Sequence, residues 1–320
     1  MKPSEYNTDI AGLDIGKLHL DASLASGDEH QKFANKGNDF EDLLGWLRRH
    51  QVVRIGMEAT GGYEHEVAVF LIEHGFEVII HQPLEIKRFA QFMRIRAKND
   101  KIDAKVIALA TAAKKIVPMV YHADLSELSE MMTLYEHFSS LLAKAKTFSE
   151  RLRLETTKAY NDAIKAELTK AKKDILVAIL KKLRGHKYLN QRYELLKSLP
   201  GIGPLIAASL TIRMPELGTL AHGKAAALLG SAPLDRDSGT FKGKRTIFGG
   251  RARPRRHMYI AALSAMRMTK SHFKPFADRL KINGKPIKVI IIAVMRKLIE
   301  AANLVLQRQS PWVTTCHTLT

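Results

Sequence analysis

The sequence predicts an α/β domain at its N-terminus, a pair of long helices after it, and a mostly helical domain at its C-terminus. Three observations predict this. Short apolar runs alternate with helical periodicity up to about residue 112, a spacing of three or four takes over from Leu125, and Gly185 closes that spacing before a glycine-punctuated region begins. The expected boundaries are 1–122, 123–188 and 189–320 of the 320 residues.

Residues 10–15 read as a short buried strand, Gly16-Lys17 as a turn, and the alternating residues 18–24 as the second arm of a hairpin. A third strand at 31–34, a helix at 40–49 and a strand at 52–58 follow. The last of these ends at Glu58, ahead of the flexible Ala-Thr-Gly-Gly turn that opens a helix over 63–74. A strand at 76–81, a helix from Pro83 and a helix from Asp100 complete the domain. A three-strand meander followed by alternating helices and strands is an RNase H-like layout.

Carboxylates recur at informative places in that layout. Asp14 sits inside a strand expected to be buried, where an aspartate needs a partner or a metal ion. Glu58 stands at a strand's C-terminal end, where open α/β sheets place their chemistry. Asn99 reads as an N-cap, so Asp100 and Asp103 share one face of the first helical turn, roughly 5 to 6 Å apart at Cβ. Acidic residues there also complement a helix dipole, which alone explains the pair. A buried stripe of Ile102, Val106, Leu109 and Ala113 is expected on another side. Four carboxylates in this order permit phosphodiester cleavage with two Mg²⁺ ions (or Mn²⁺) about 3.5 to 4 Å apart. Glu64, His65 and Glu66 are consecutive and do not share a helical face, so no metal site is expected on them.

Between Leu125 and Leu183 two amphipathic helices are expected, antiparallel, with a polar break around Asn161-Asp162 and a stripe that includes Phe148 and Ile164. They suit an intramolecular hairpin or a coiled coil between subunits. Leu-Pro-Gly201-Ile-Gly203-Pro then joins two helices in the manner of a helix-hairpin-helix phosphate-binding turn, or of a plain αα-hairpin. Residues 241–256 carry Lys242, Lys244, Arg245, Arg251, Arg253, Arg255 and Arg256 without one acidic residue, and are expected to form a loop along a phosphate backbone. Ser238, between Asp237 and Gly239, precedes that run; without a histidine close by in sequence, a nucleophilic role needs activation by Arg or metal ions. Helices at about 257–268 and 286–307 end the chain.

With 51 Lys and Arg against 32 Asp and Glu, the formal net charge is +19, which points to a polyanion such as nucleic acid. A single cysteine, Cys316, excludes an internal disulfide and a cysteine-based zinc site, and favours an intracellular protein. The apolar run between Lys288 and Arg296 is too short to span a bilayer, so no membrane partner is expected.

Gly-Leu-Asp14-Ile-Gly, Met-Glu58-Ala-Thr-Gly-Gly-Tyr, Asn-Asp100-Lys-Ile-Asp103-Ala, Leu-Pro-Gly-Ile-Gly-Pro and Arg-Asp-Ser238-Gly resemble, in order and spacing, the transposases of insertion sequence family 110. These are DEDD recombinases guided by a bridge RNA. The resemblance implies a RuvC-like domain carrying Asp14, Glu58, Asp100 and Asp103, a coiled-coil module, and a C-terminal transposase domain carrying Ser238. It implies that the serine attacks DNA to form a phosphoserine link, completed by the metal-bound site of another subunit. It also implies donor and target DNA, a structured guide RNA encoded by the element, a homo-oligomer (a dimer, with a tetramer as the active complex), and a bacterial or archaeal cytoplasmic setting near the nucleoid. Two other readings fit the residues alone: a RuvC-like nuclease using water, which leaves Ser238 idle, and a non-catalytic nucleic-acid scaffold.

Overall fold

Strand β1 (Asp9–Ile15) pairs antiparallel with β2 (His19–Leu24), and β2 with β3 (His30–Ala34), because two short turns return the chain each time. Helix α1 (Phe40–Arg49) then carries the chain across to β4 (Val52–Glu58), parallel to β1, and α2 (His65–Glu73) carries it to β5 (Glu77–His81), parallel to β4. The five-stranded mixed sheet has the order β3-β2-β1-β4-β5. Helices α3 (Pro83–Phe92) and α4 (Asp100–Ala112) follow. This computed structural model describes residues 9–95, 99–113, 123–234 and 246–313, in two compact units, Met1–His122 and Ala123–Thr320.

The two faces of the sheet differ because side chains alternate. On one face Ala11, Leu13, Leu20, Ala22, Ile55, Met57 and Val78 pack against Phe40, Leu43, Trp46 and Leu47 of α1 and Val67, Ala68 and Leu71 of α2. On the other, Gly12 and Gly56 are register partners, and α4 lies directly on them. A Cβ at Gly12 would stand 2.2 Å from the Ala104 carbonyl oxygen and 2.2 Å from the Ala108 nitrogen. One at Gly56 would stand 1.9 Å from the Thr111 hydroxyl oxygen. The two glycines therefore set the depth at which α4 docks. Gly12→Ala forces helix backbone away from the sheet and is expected to cost at least about 2 kcal/mol of stability, read as a lower denaturation midpoint; an unchanged midpoint would show that α4 is not seated this way.

Helix α4 buries more of its surface than the expected stripe. Ala104, Val106, Ile107, Ala108, Ala110 and Thr111 are buried, whereas Leu109 is only partly so and Ala113 is exposed. The reason is that α4 is covered twice, by the sheet and by Ile86 of α3.

In the second unit α5 (Ala123–Ser149) and α6 (Glu155–Gly185) form an antiparallel hairpin, held by the Lys182–Glu127 ion pair at one end and a Lys172 ammonium 5.2 Å from the Tyr135 ring centroid midway. The turn falls at residues 150–154, not at Asn161-Asp162. Asn161 is tolerated inside α6 because its amide donates to the Ala145 carbonyl at 3.2 Å and the Ser149 hydroxyl at 2.6 Å, closing the hairpin tip. Phe148 and Ile164, assigned to the buried stripe by spacing, are 55% and 56% exposed. At the base of the hairpin Leu128, Met132, Ile179 and Leu183 join the core of the helices that follow.

Those are α7 (Lys187–Lys197), α8 (Pro204–Arg213), α9 (Lys224–Leu229), α10 (Ala252–Arg267), α11 (Phe273–Ile282) and α12 (Ile287–Arg308), with a small pair of strands, β6 (Pro233–Leu234) and β7 (Thr246–Ile247). Helix α11 and the strand pair are additions to what periodicity indicated. Helices α8 and α12 are central, and α12 also supplies polar anchors. Asn303 accepts from the Gly218 N–H and donates to the Leu220 carbonyl, both at 2.8 Å, while Glu300 accepts from the Gly223 and Ala226 N–H groups at the start of α9.

Candidate active site

Asp14 and Glu58 lie on the face of the sheet that carries Gly12 and Gly56, two residues further along each strand, so both project on the side where α4 docks. Asn99 caps α4, its side-chain oxygen accepting from the Ile102 N–H at 2.8 Å, and so fixes Asp100 and Asp103 in the first turn. Three further contacts hold α4 in place. Lys105 donates to the carbonyls of Leu24, Ala25 and Gly27 at the β2–β3 turn, with 2.8 Å to Leu24. The Ser23 hydroxyl reaches the Lys101 carbonyl at 3.4 Å. The Thr111 hydroxyl donates to the Ile107 carbonyl at 2.7 Å and therefore accepts from Nε2 of buried His81 at 2.8 Å.

Asp14 senses both its burial and the carboxylates around it. Burial, then the charges of Asp103, Asp100 and Glu58, and last that of Asp21, push Asp14 up to about 6. Asp14 is half-buried, Asp103 and Glu58 are partly buried and Asp100 is exposed, so the cluster opens to solvent on the Asp100 side. An all-oxygen donor set suits a hard divalent cation. Among the described residues no three His, Cys, Asp or Glu side chains close on one point as metal ligands do.

Sequence reasoning missed Asp21. It is the antiparallel register partner of Asp14, on the same face, and is buried with its Oδ1 2.8 Å from His30 Nε2 and its Oδ2 3.9 Å from Lys32 Nζ. The alternating pattern of β2 hid it, since an aspartate among alternating residues reads as solvent-facing. The signal available was pairing: an Asp two positions past His19 in a tight hairpin falls opposite Asp14. Glu64, adjacent to this region, accepts from the Thr60 and Gly62 N–H groups and the Thr60 hydroxyl, and so is spent on the Gly61-Gly62 turn.

In the second unit Ser238, Lys242, Lys244 and Arg245 lie outside the described residues, between β6 and β7 in the sequence. The chain on either side is tightly fixed. Gly230, which ends α9, and Gly250 both have left-handed backbones, and a Cβ at Gly250 would stand 2.3 Å from the Gly230 nitrogen. Residues 252–256, expected in a loop, form the first turns of α10; Pro254 is compatible with that position because a first-turn N–H needs no helical acceptor.

The arginines there are largely engaged within the protein. Arg251 forms a two-pronged pair with Glu216, 2.7 Å at one prong, and donates to the Arg213 carbonyl at 2.7 Å. Arg253 contacts Glu136 at 3.4 Å and Thr133 at 3.0 Å, and Arg255 donates to the Gly249 carbonyl. Arg256 is exposed. Arg251→Ala leaves Glu216 and a carbonyl without their donor and is expected to lower stability by about 1–3 kcal/mol in thermal or denaturant unfolding. A change confined to nucleic-acid affinity would contradict that assignment. Gly201 (φ +82°) is explained by packing, since a Cβ there would stand 2.3 Å from the Ala261 carbonyl oxygen of α10, while Gly203 is the N-cap residue of α8. Nearby His257 is held below its ordinary pKa by burial and by Arg213 and Arg256, its Nδ1 2.6 Å from the Ser209 hydroxyl.

A family model described as a transposase, of the IS110 DEDD type, matches residues 11–158, and a second, described as the IS116/IS110/IS902 transposase family, matches residues 193–278. The chain is 28% identical over 317 residues to the pilin gene-inverting protein of Moraxella bovis, covering 96% of this chain and 98% of that protein. The same identity and coverage hold for the pilin gene-inverting protein of Moraxella lacunata. The class is that of DNA transposases and recombinases. Within it, the chain belongs to the IS110 family of transposases. Metal dependence is general in DEDD transposases. Among the described residues no helix is long and apolar enough to cross a membrane.

Proposed function

We propose that the protein is an RNA-guided DNA recombinase of an insertion sequence, in which the Asp14, Glu58, Asp100 and Asp103 carboxylates of an RNase H-like (RuvC-like) domain hold Mg²⁺ or Mn²⁺ and Ser238 is the nucleophile. The observation that supports the reading is geometric: Asp14 and Glu58 lie on the sheet face on which α4 docks, and the Asn99 cap fixes Asp100 and Asp103 in the first turn of that helix; burial first, and then the neighbouring carboxylates, raise the Asp14 pKa. A bound divalent cation supplies charge neutralisation at a scissile phosphate. The protein's own residues do the rest. Gly12, Gly56, Lys105 and the Thr111–His81 contact hold the carboxylates of α4 opposite those of the sheet.

The Ser238 hydroxyl attacks a DNA phosphorus, a P–O bond to the leaving strand breaks, and the serine proton leaves with that strand's hydroxyl. Attack of a second strand's hydroxyl on the phosphoserine reverses the step, so no bond energy is lost and no external energy source is needed. Lys242, Lys244, Arg245 and exposed Arg256 neutralise phosphates around it. The net charge of +19 suits DNA and a structured guide RNA together. Exposed Phe148, Tyr160, Ile164 and Val177 on the α5–α6 hairpin favour association with another copy, which would let the serine of one subunit meet the carboxylates of another in the cytoplasm where the element's DNA lies.

DNA cleavage is expected to require Mg²⁺ or Mn²⁺ and to stop on chelation. Asp103→Asn and Glu58→Gln are expected to slow it by orders of magnitude with nucleic-acid binding nearly intact. Full activity in either variant would remove that residue from the site.

A further inference from the structure

The turn between α11 and α12 lies beyond the last residue of either family match and takes no part in the site described above. From Arg279 to Ile299 the sequence carries six Lys or Arg residues and no carboxylate. Every residue from Lys281 to Val289 is exposed, and three of them are large and apolar: Ile282 at 85%, Ile287 at 59% and Val289 at 51%. The one acidic residue of α11, Asp278, is already paired with Lys274 at 2.6 Å. Among the described residues, Lys281, Lys285 and Lys288 have no ion-pair partner.

This tip is built to a fixed shape. Gly284 takes a left-handed backbone (φ +66°), its N–H donates to the Lys281 carbonyl at 3.0 Å, and the Lys285 N–H donates to the Leu280 carbonyl at 3.1 Å. That pair of bonds is a Schellman closure, which satisfies the last carbonyls of α11. Behind it Phe273 and Ala277 are buried in the core with Ile290, Ile291 and Val294, so the tip is a rigid projection. Lysines and isoleucines on such a projection lose little conformational freedom when they meet a partner.

A hydrogen-bonded turn that exposes three lysines, without ion-pair partners among the described residues, together with an isoleucine fits a groove lined by phosphates. Groove-binding proteins use this combination, with cations on the backbone and an apolar wedge against the base steps. We infer that the α11–α12 knuckle is a DNA-docking surface, with Lys281, Lys285 and Lys288 on the phosphates of a duplex and Ile282 against its groove. The inference rests on the DNA-recombinase reading but on none of that reading's catalytic residues.

The test is duplex binding by the full-length protein, measured against salt concentration with a generic double-stranded oligonucleotide and no cleavage. Lys281→Gln, Lys285→Gln and Lys288→Gln together are expected to make the log–log salt dependence shallower by about 2–3 and to weaken binding on the order of ten-fold at moderate salt. All three positions are exposed, and an unchanged circular dichroism melt would verify the fold. Ile282→Ser is expected to weaken duplex binding several-fold at an unchanged slope. An unchanged slope in the triple variant overturns the inference. So does a loss confined to a structured RNA hairpin, or one confined to phosphatidylserine vesicles. Failure of the wild-type protein to bind any duplex would instead overturn the recombinase reading itself.

Discussion

Asp14→Asn is expected to abolish DNA cleavage while making the cation-free protein more stable at pH 8. Both effects have one cause. In the folded protein Asp14 is partly buried and stands near four other carboxylates, so its pKa is raised to about 6 from an unfolded value near 4. A group shifted upward contributes its stability below the unfolded pKa and loses it as pH rises through the folded one. Above about pH 6 the ionised Asp14 therefore opposes folding, and an uncharged amide of the same shape relieves that opposition. Allowing for solvent screening of a group that is only partly buried, the gain is about 1–2 kcal/mol at pH 8, vanishing below about pH 4. Thermal melts of both proteins across that range, with chelator present, provide the measurement. Added Mg²⁺ should narrow the gap by stabilising the wild type more. A variant destabilised equally at every pH would mean that Asp14 is a structural residue and not the centre of a charge cluster.

The legible part of the fold was the part written in local chemistry. Asn99 announces the start of α4, the short apolar run of β1 and the alternation of β2 announce the sheet, and both can be read without knowing what lies opposite. What stayed hidden depended on partners distant in sequence. Gly12 and Gly56 look like ordinary small residues until α4 is laid across them. Asp21 looks solvent-facing until the hairpin register sets it beside Asp14. Asn161 looks like a helix break because nothing nearby in sequence shows that Ser149 and the Ala145 carbonyl will satisfy it. The basic run misled for the same reason: Arg251 counts as a free cation until Glu216, 35 residues earlier, is folded against it. Charge composition indicated a polyanionic partner, but only the folded chain separates arginines that hold the protein together from lysines, such as Lys285, that face outward.

Ser238→Ala is expected to have the second large effect, and it separates a recombinase from a nuclease that uses water. A serine hydroxyl is a weak nucleophile at neutral pH, and the cations flanking it in sequence, Lys242, Lys244 and Arg245, lower the barrier by neutralising the phosphate it attacks. Removing the hydroxyl removes the covalent intermediate entirely, without touching the carboxylates or the cationic surface. The most direct measurement is to denature a reaction of protein with its donor DNA in Mg²⁺ and resolve it under SDS. The wild type should yield a protein–DNA species that survives denaturation, and Ser238→Ala should yield none while still binding its nucleic acids. Cleavage by Ser238→Ala at the wild-type rate, with no covalent species from either protein, would contradict the serine mechanism and leave a metal-dependent nuclease in its place.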